Sequence, residues 1–279
     1  MFVILRRKLL KSWLMVLGWG LGLGGLGYLL LDIYGSIFQR SVDLQSFIDA
    51  FPEEFLAFFG DTNSFLTMEG FLGLEFFSYM PVILGILVVS SASSLISKQE
   101  ENGSLELIAA QPISRSEIFW GKVFALIISV FLILLMTWAG MFLAASRAEN
   151  LDLSALELIN PFISLFAILL VFLGFALFLA MILQSGGSAG LLAGFLLIAS
   201  YFITSLTRLD EDLAPFNRFS PMKYYQGGDA IKALDVEYLL ILLGISVVFF
   251  VLAWLFFAKR DFRFGGSGGI RLNLFKKAK

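Results

Sequence analysis

Long apolar runs alternate with short polar interruptions along this chain, at a spacing that predicts helices crossing a bilayer. Six such runs fall at 13–31, 70–96, 119–144, 161–183, 188–206 and 238–257, each close to the roughly twenty residues needed to cross a hydrocarbon core. The expected fold is all-α, a polytopic membrane protein with six transmembrane helices in one transmembrane domain over 1–257. A basic tail follows over 258–279. Residues 1–11 place Arg6, Arg7, Lys8 and Lys11 among Phe2, Val3, Ile4, Leu5, Leu9 and Leu10, which predicts an amphipathic N-terminal helix suited to a membrane surface. The first apolar run is too long for a signal peptide and shows no small-residue cleavage site, so it reads as a retained span.

The interruptions differ in character. Within 32–69, Pro52, Glu53 and Glu54 read as a helix start, with Phe51, Phe55, Phe58 and Phe59 on one side and Gly60 as its end, an interfacial helix. Residues 147–160 read as a short polar external loop, and 184–187 as an uncharged tight turn. The stretch 207–237 reads as a second long external segment.

The interruption at 97–122, SKQEENGSLELIAAQPISRSEIFWGK, is the most highly specified. Ser104 can cap a short helix, with Glu106 in its first turn near the positive helix end. Leu105, Leu107 and Ile108 give that helix an apolar side, and Pro112 ends it by excluding the α region from the residue before it. Ser114 and Glu117 then stand at capping-box spacing, flanked by Ile113 and Ile118 as a hydrophobic staple, so a second helix starts at a fixed angle.

Composition narrows the function classes. The chain has 279 residues, 58% of them hydrophobic and 15% charged, with a mean hydropathy of +0.87, outside the range of a soluble domain. It has neither Cys nor His, which removes disulfides, thiolate or imidazole metal sites and the commonest general base. Net charge is −2, but Lys and Arg are unevenly placed: four lie in the N-terminal segment, three in 97–122 (Lys98, Arg115, Lys122), seven in the tail, and six in the remaining segments. By the positive-inside rule both termini and the 97–122 hairpin are expected in the cytoplasm of a multi-pass cell-membrane protein. No nucleic-acid partner is expected.

Several motif matches fail on context. Gly22 to Gly27, GLGGLG, fits a dinucleotide fingerprint but lies in an apolar span with no strand before it. Helix packing through Gly18 with Gly22 and Gly20 with Gly24 is the better reading. Gly186 to Gly190, GGSAG, fits a nucleophile elbow, but Ser188 has no histidine anywhere in the chain to activate it. Asn102 to Ser104 is a glycosylation sequon on the wrong side of the membrane. No phosphate-binding loop of the form G-x-x-x-x-G-K-[ST] occurs, so the chain does not hydrolyse nucleotide by itself. Glu75, near the outer end of the second span, is a weak substrate-site candidate, set against the blander reading of an interfacial carboxylate.

The segment EENGSLELIAAQPISRSEIFWGK resembles the cytoplasmic segment of ABC-2-type transporter permeases, with acid pair, Gly-Ser, Leu-Glu-Leu, Pro, Ser-Arg and Gly-Lys in the family's order. FPEEFLAFFG, EGFLG and FSPMKYYQGGDAI look like the family's corresponding regions, so the resemblance covers nearly the whole chain. It is nearest to permeases whose ATPase is a separate chain, including those of copper-site maturation and of sodium or drug export. The resemblance implies two permease subunits, as a homodimer or a pair with a close relative, with two ABC ATPase subunits that bind ATP and Mg. It further implies that Glu100, Glu101, Gly103, Ser104, Leu105, Glu106 and Leu107 contact the ATPase. Pro112, Ser114, Arg115 and Lys122 would fix the return into the third span.

Two other classes remain open from the sequence. An ATP-independent carrier or channel usually keeps ionisable groups near the midplane, and these spans are almost free of charge. A membrane component of a maturation or signalling complex would move no solute. Spans rich in Phe and Gly suit a lipid-like cargo, and equally suit contact with membrane lipids.

Overall fold

The computed structural model describes residues 1–39, 67–101, 114–147, 155–183, 185–207 and 209–259. Six long helices answer to the six apolar runs: α1 (Phe2–Gln39), α2 (Met80–Glu101), α3 (Arg115–Ala145), α4 (Ala155–Leu183), α5 (Gly186–Leu206) and α6 (Val236–Lys259). All are long and apolar enough to cross a membrane, α2 together with the short helix Met68–Leu72 and the π-helical turn Gly73–Phe77 that precede it. No strand occurs among the described residues. Helices satisfy their own backbone groups, which hydrocarbon cannot do for them.

Two helices begin differently from expectation. The basic segment at 1–11 continues into the first span without a break, giving one helix of 38 residues. At 1.5 Å per residue it is about 57 Å long, well beyond a bilayer core of about 30 Å. The fourth helix begins at Ala155, with Pro161 inside it rather than at its start. Ala155, Leu156, Glu157 and Leu158 are strong helix formers, so the helix is established before the proline. The expected external loop at 147–160 is correspondingly shorter, and the interfacial helix expected around Pro52 lies outside the described residues.

The helices form two groups. In the first, α1 and α3 run parallel along their length: Ile4 lies by Gly121, Gly20 by Met136, Gly27 by Met141 and Tyr28 by Arg147. A Cβ on Gly24 would stand 2.9 Å from the Met136 carbonyl oxygen, and Gly140 lies directly against the Gly24 backbone. Without a hydrophobic drive between helices in lipid, such close backbone contact supplies the association. Of the two glycine pairs expected to pack, only Gly20 with Gly24 lies in this seam; Gly18 and Gly22 face open space.

The second group is built around α4, whose Leu165, Ile168, Leu169, Leu173, Ala176 and Leu177 are fully enclosed. It touches α2, α5 and α6. Helix α5 lies antiparallel to α2, with Gly186 and Gly190 against Ser93 and Ser97, and Leu197 over Gly85. Helix α6 runs parallel to α4, its Phe249 ring 5.1 Å from Phe175. The two groups meet at fewer points. Phe131 of α3 lies 6.0 Å from Phe166 of α4, and Phe119 of α3 lies 5.3 Å from Phe257 of α6.

Alternating helix direction gathers the end of α2, the starts of α1 and α3 and the end of α6 at one end of the bundle. The other end is capped by the short helices Glu211–Leu213, Ala214–Asn217, Pro221–Tyr224 and Gly227–Ile231. Gly227 has φ +53°, a left-handed conformation that favours glycine. Next to it Gly228 packs on Gly73, where a Cβ would come 2.7 Å from the Glu69 carbonyl oxygen. Tyr225 donates a 2.8 Å hydrogen bond to the Phe77 carbonyl in the π-helical turn, and the Gln226 backbone N–H donates to Ser164 Oγ at 3.1 Å.

Part of Tyr225 reaches the surface, but its hydroxyl is enclosed. Burial pushes that hydroxyl well above its ordinary pKa, and the Tyr201 phenol adds in the same direction. The raised value means that the neutral hydroxyl stabilises the fold below roughly pH 10, the unfolded value, and that this contribution fades as pH rises through the folded value. Tyr225→Phe is expected to cost about 1 kcal/mol at neutral pH. In thermal unfolding of the purified protein the difference from wild type should shrink above pH 10; a constant difference would refute the assignment.

Candidate functional site

The end of the bundle where α2 finishes and α3 starts is the candidate site, and local chemistry fixes the start of α3 there. Ser114 is the N-cap in extended conformation, and its Oγ accepts from the Glu117 N–H at 3.2 Å. Glu117 Oε2 accepts in return from the Ser114 N–H at 3.2 Å, so the expected capping box is closed and two orphan donors of the helix start are satisfied. Glu117 Oε1 lies 3.1 Å from the Met1 nitrogen, against the start of α1. Of the expected staple, Ile118 is buried, and Ile113 lies outside the described residues.

Three neighbours hold this first turn. Trp254 Nε1–H of α6 donates to Ser116 Oγ at 3.3 Å. Phe119 is fully buried against Phe257. Gly121 lets α1 approach so closely that a Cβ there would meet the Met1 carbonyl oxygen at 3.2 Å and the Ile4 Cβ at 3.3 Å. Lys122, one turn on from Ile118, is only 3% exposed. It has an interaction partner, as a buried ammonium requires.

The other arm of the connection is anchored separately. Ser97 of α2 is buried and donates to the Ser93 carbonyl at 3.2 Å. Gly186 of α5 sits against both, where a Cβ would stand 3.0 Å from the Ser93 oxygen. Ser185 caps α5 by accepting from the Ser188 N–H at 3.4 Å. Ser188 itself is exposed in the first turn of α5.

The other candidate residues divide as follows. Glu100 and Glu101 lie on the last turn of α2, and Arg115 is the exposed first residue of α3. Gly103, Ser104, Leu105, Glu106, Leu107 and Pro112 lie outside the described residues. Glu75 is at the opposite end, exposed on the π-helical turn while its neighbours Leu74, Phe76 and Phe77 are buried. That placement suits an interfacial carboxylate better than a ligand in a shared site, and among the described residues no cluster of acids could hold a metal.

Ser116, Trp254 and the serines of α2 were not singled out from the sequence. The serines do carry a local signal, since Ser90 with Ser94 and Ser93 with Ser97 stand at the i, i+4 spacing of one helix face. The tryptophan contact, between residues 138 positions apart, leaves none.

Six long apolar helices packed through glycine and serine seams define a multi-pass helical membrane protein. The chain belongs to the family described as the C-terminal domain of the multidrug efflux system permease Rv1217c, which it matches over residues 10–258. Among curated proteins none matches it significantly.

Proposed function

We propose that this chain is the permease subunit of an ABC-2-type exporter, which pairs with a second copy of itself and couples its movement to two ABC ATPase subunits. ATP and Mg are held by those subunits, since this sequence contains no phosphate-binding loop. The observation that carries the reading is the placement of the two helix ends that flank 102–113. The end of α2 is packed with α4 and α5, and the start of α3 on α1, so a partner that engages the sequence joining them acts on both helix groups at once. The closed capping box and the buried flanks of α3 support this role, because a rigid element transmits displacement that a slack loop would absorb.

In this reading the connection and both termini face the cytoplasm, in keeping with the excess of Lys and Arg in those segments. Export of amphiphilic compounds is the activity best suited to the family description.

The test is co-purification from native membranes with the full chain as bait. Wild type is expected to retain an ABC ATPase subunit, and a variant combining Glu100→Lys, Glu101→Lys and Leu105→Asp to lose it while eluting as a folded protein of unchanged size. Retention of the ATPase by that variant, or absence of any ATPase from the wild-type preparation, would overturn the proposal.

A further inference from the structure

At the end opposite the 102–113 connection, a cavity of about 330 Å³ opens between α4, α5 and α6, within the size range of small-molecule sites. Its α6 wall is Ile241, Ile245 and Phe249, at i, i+4 and i+8 on one helix face, so the slot extends about 12 Å along the helix axis. Phe172 and Phe175 of α4 form the facing wall, and Leu196 of α5 the third.

The mouth differs from the walls. Arg218 stands there beside Tyr224 and is the one charged residue among those lining the cavity. Among residues whose side chains are described, none forms an ion pair with it. The backbone around it is pinned to α5: Thr204 Oγ1 donates to Asn217 Oδ1 at 2.8 Å, and Ser220 Oγ donates to the Ser200 carbonyl at 3.2 Å. Arg218, an exposed residue, therefore belongs to a segment held on both sides, beside the largely apolar lining of the cavity.

We propose that this cavity binds a single-chain anionic amphiphile of the fatty-carboxylate class. The carboxylate pairs with Arg218, whose planar fork matches it in a bidentate fashion, and the chain lies along the Ile241, Ile245 and Phe249 face. A neutral chain would leave the cation unused, and the two chains of a phospholipid exceed a cavity of about 330 Å³. The site is a property of the isolated chain and does not depend on ATPase coupling.

The experiment uses the full chain in nanodiscs of zwitterionic lipid, with a decanoic acid carrying a diazirine in its chain as photoprobe, and the matching alcohol and amine as controls. Mass spectrometry is expected to place the crosslinks of the acid on the α4 and α6 segments around Phe175 and Phe249. Arg218→Gln should weaken labelling by about tenfold, the scale of one charge-assisted hydrogen bond, while Arg218→Lys keeps most of it. Ile245→Trp, and separately Leu196→Trp from the partly exposed α5 wall, should fill the slot and abolish labelling there without lowering the melting temperature. Equal labelling by the alcohol or amine would overturn the proposal. So would labelling indifferent to both Arg218→Gln and a filling variant, or crosslinks confined to other helices.

Discussion

Gly140→Leu is expected to separate α1 from α3 and to lower stability by at least about 3 kcal/mol, at the upper end of what overpacking costs. The side chain would have to enter space held by the Gly24 backbone, and backbone atoms cannot swing aside as the end of a flexible side chain can. The matched control is Gly22→Leu on the neighbouring face of the same helix pair, where nothing lies within 4 Å of the added carbon. That change should stay within about 0.5 kcal/mol, as substitutions away from packing features do. Thermal unfolding and size-exclusion profiles of the two purified variants decide the matter. Similar behaviour of the two would mean that the seam does not hold α1 in place.

That contrast also shows what could be read from the chain. Glycines at i, i+4 spacing announced a close helix contact, but Gly18 with Gly22 and Gly20 with Gly24 carry the same spacing. The choice between them was made by Met136 and Gly140, more than a hundred residues away. Spans were legible because a bilayer imposes length and apolarity on each helix separately. The capping box was legible because its four groups lie within Ser114 and Glu117.

Features that depend on neighbouring helices were not legible. Pro161 looked like a helix start because proline suits a first turn, yet the strong formers before it carry the helix further back. Lys122 read as a residue fixing the return into the membrane, and its near-complete burial leaves no signal in the local sequence. The cavity below Arg218 draws its walls from three helices and its rim from a fourth segment, and no one of these has an unusual sequence.

If force applied at 102–113 moves the α1–α3 pair against the group built on α4, a link between those groups should stop the cycle without disturbing assembly. The chain contains no cysteine, so Phe131→Cys with Phe166→Cys introduces the only two thiols, at positions whose rings lie 6.0 Å apart across the boundary. Phe131 is half exposed, and Phe166 is also partly open to reagent. Closing the pair with a short bis-methanethiosulfonate reagent should leave the ATPase bound but reduce ATP turnover of the assembled complex by about tenfold, as expected when a two-state element is held in one arrangement. Reduction with dithiothreitol should restore turnover, which separates locking from damage. A control pair within one group, Phe178→Cys with Phe256→Cys, whose rings lie 5.7 Å apart, should tolerate the same link. Fully linked complexes that turn over ATP at the unlinked rate would show that the two groups move as one body, and the coupling role of the connection between α2 and α3 would fall with that result.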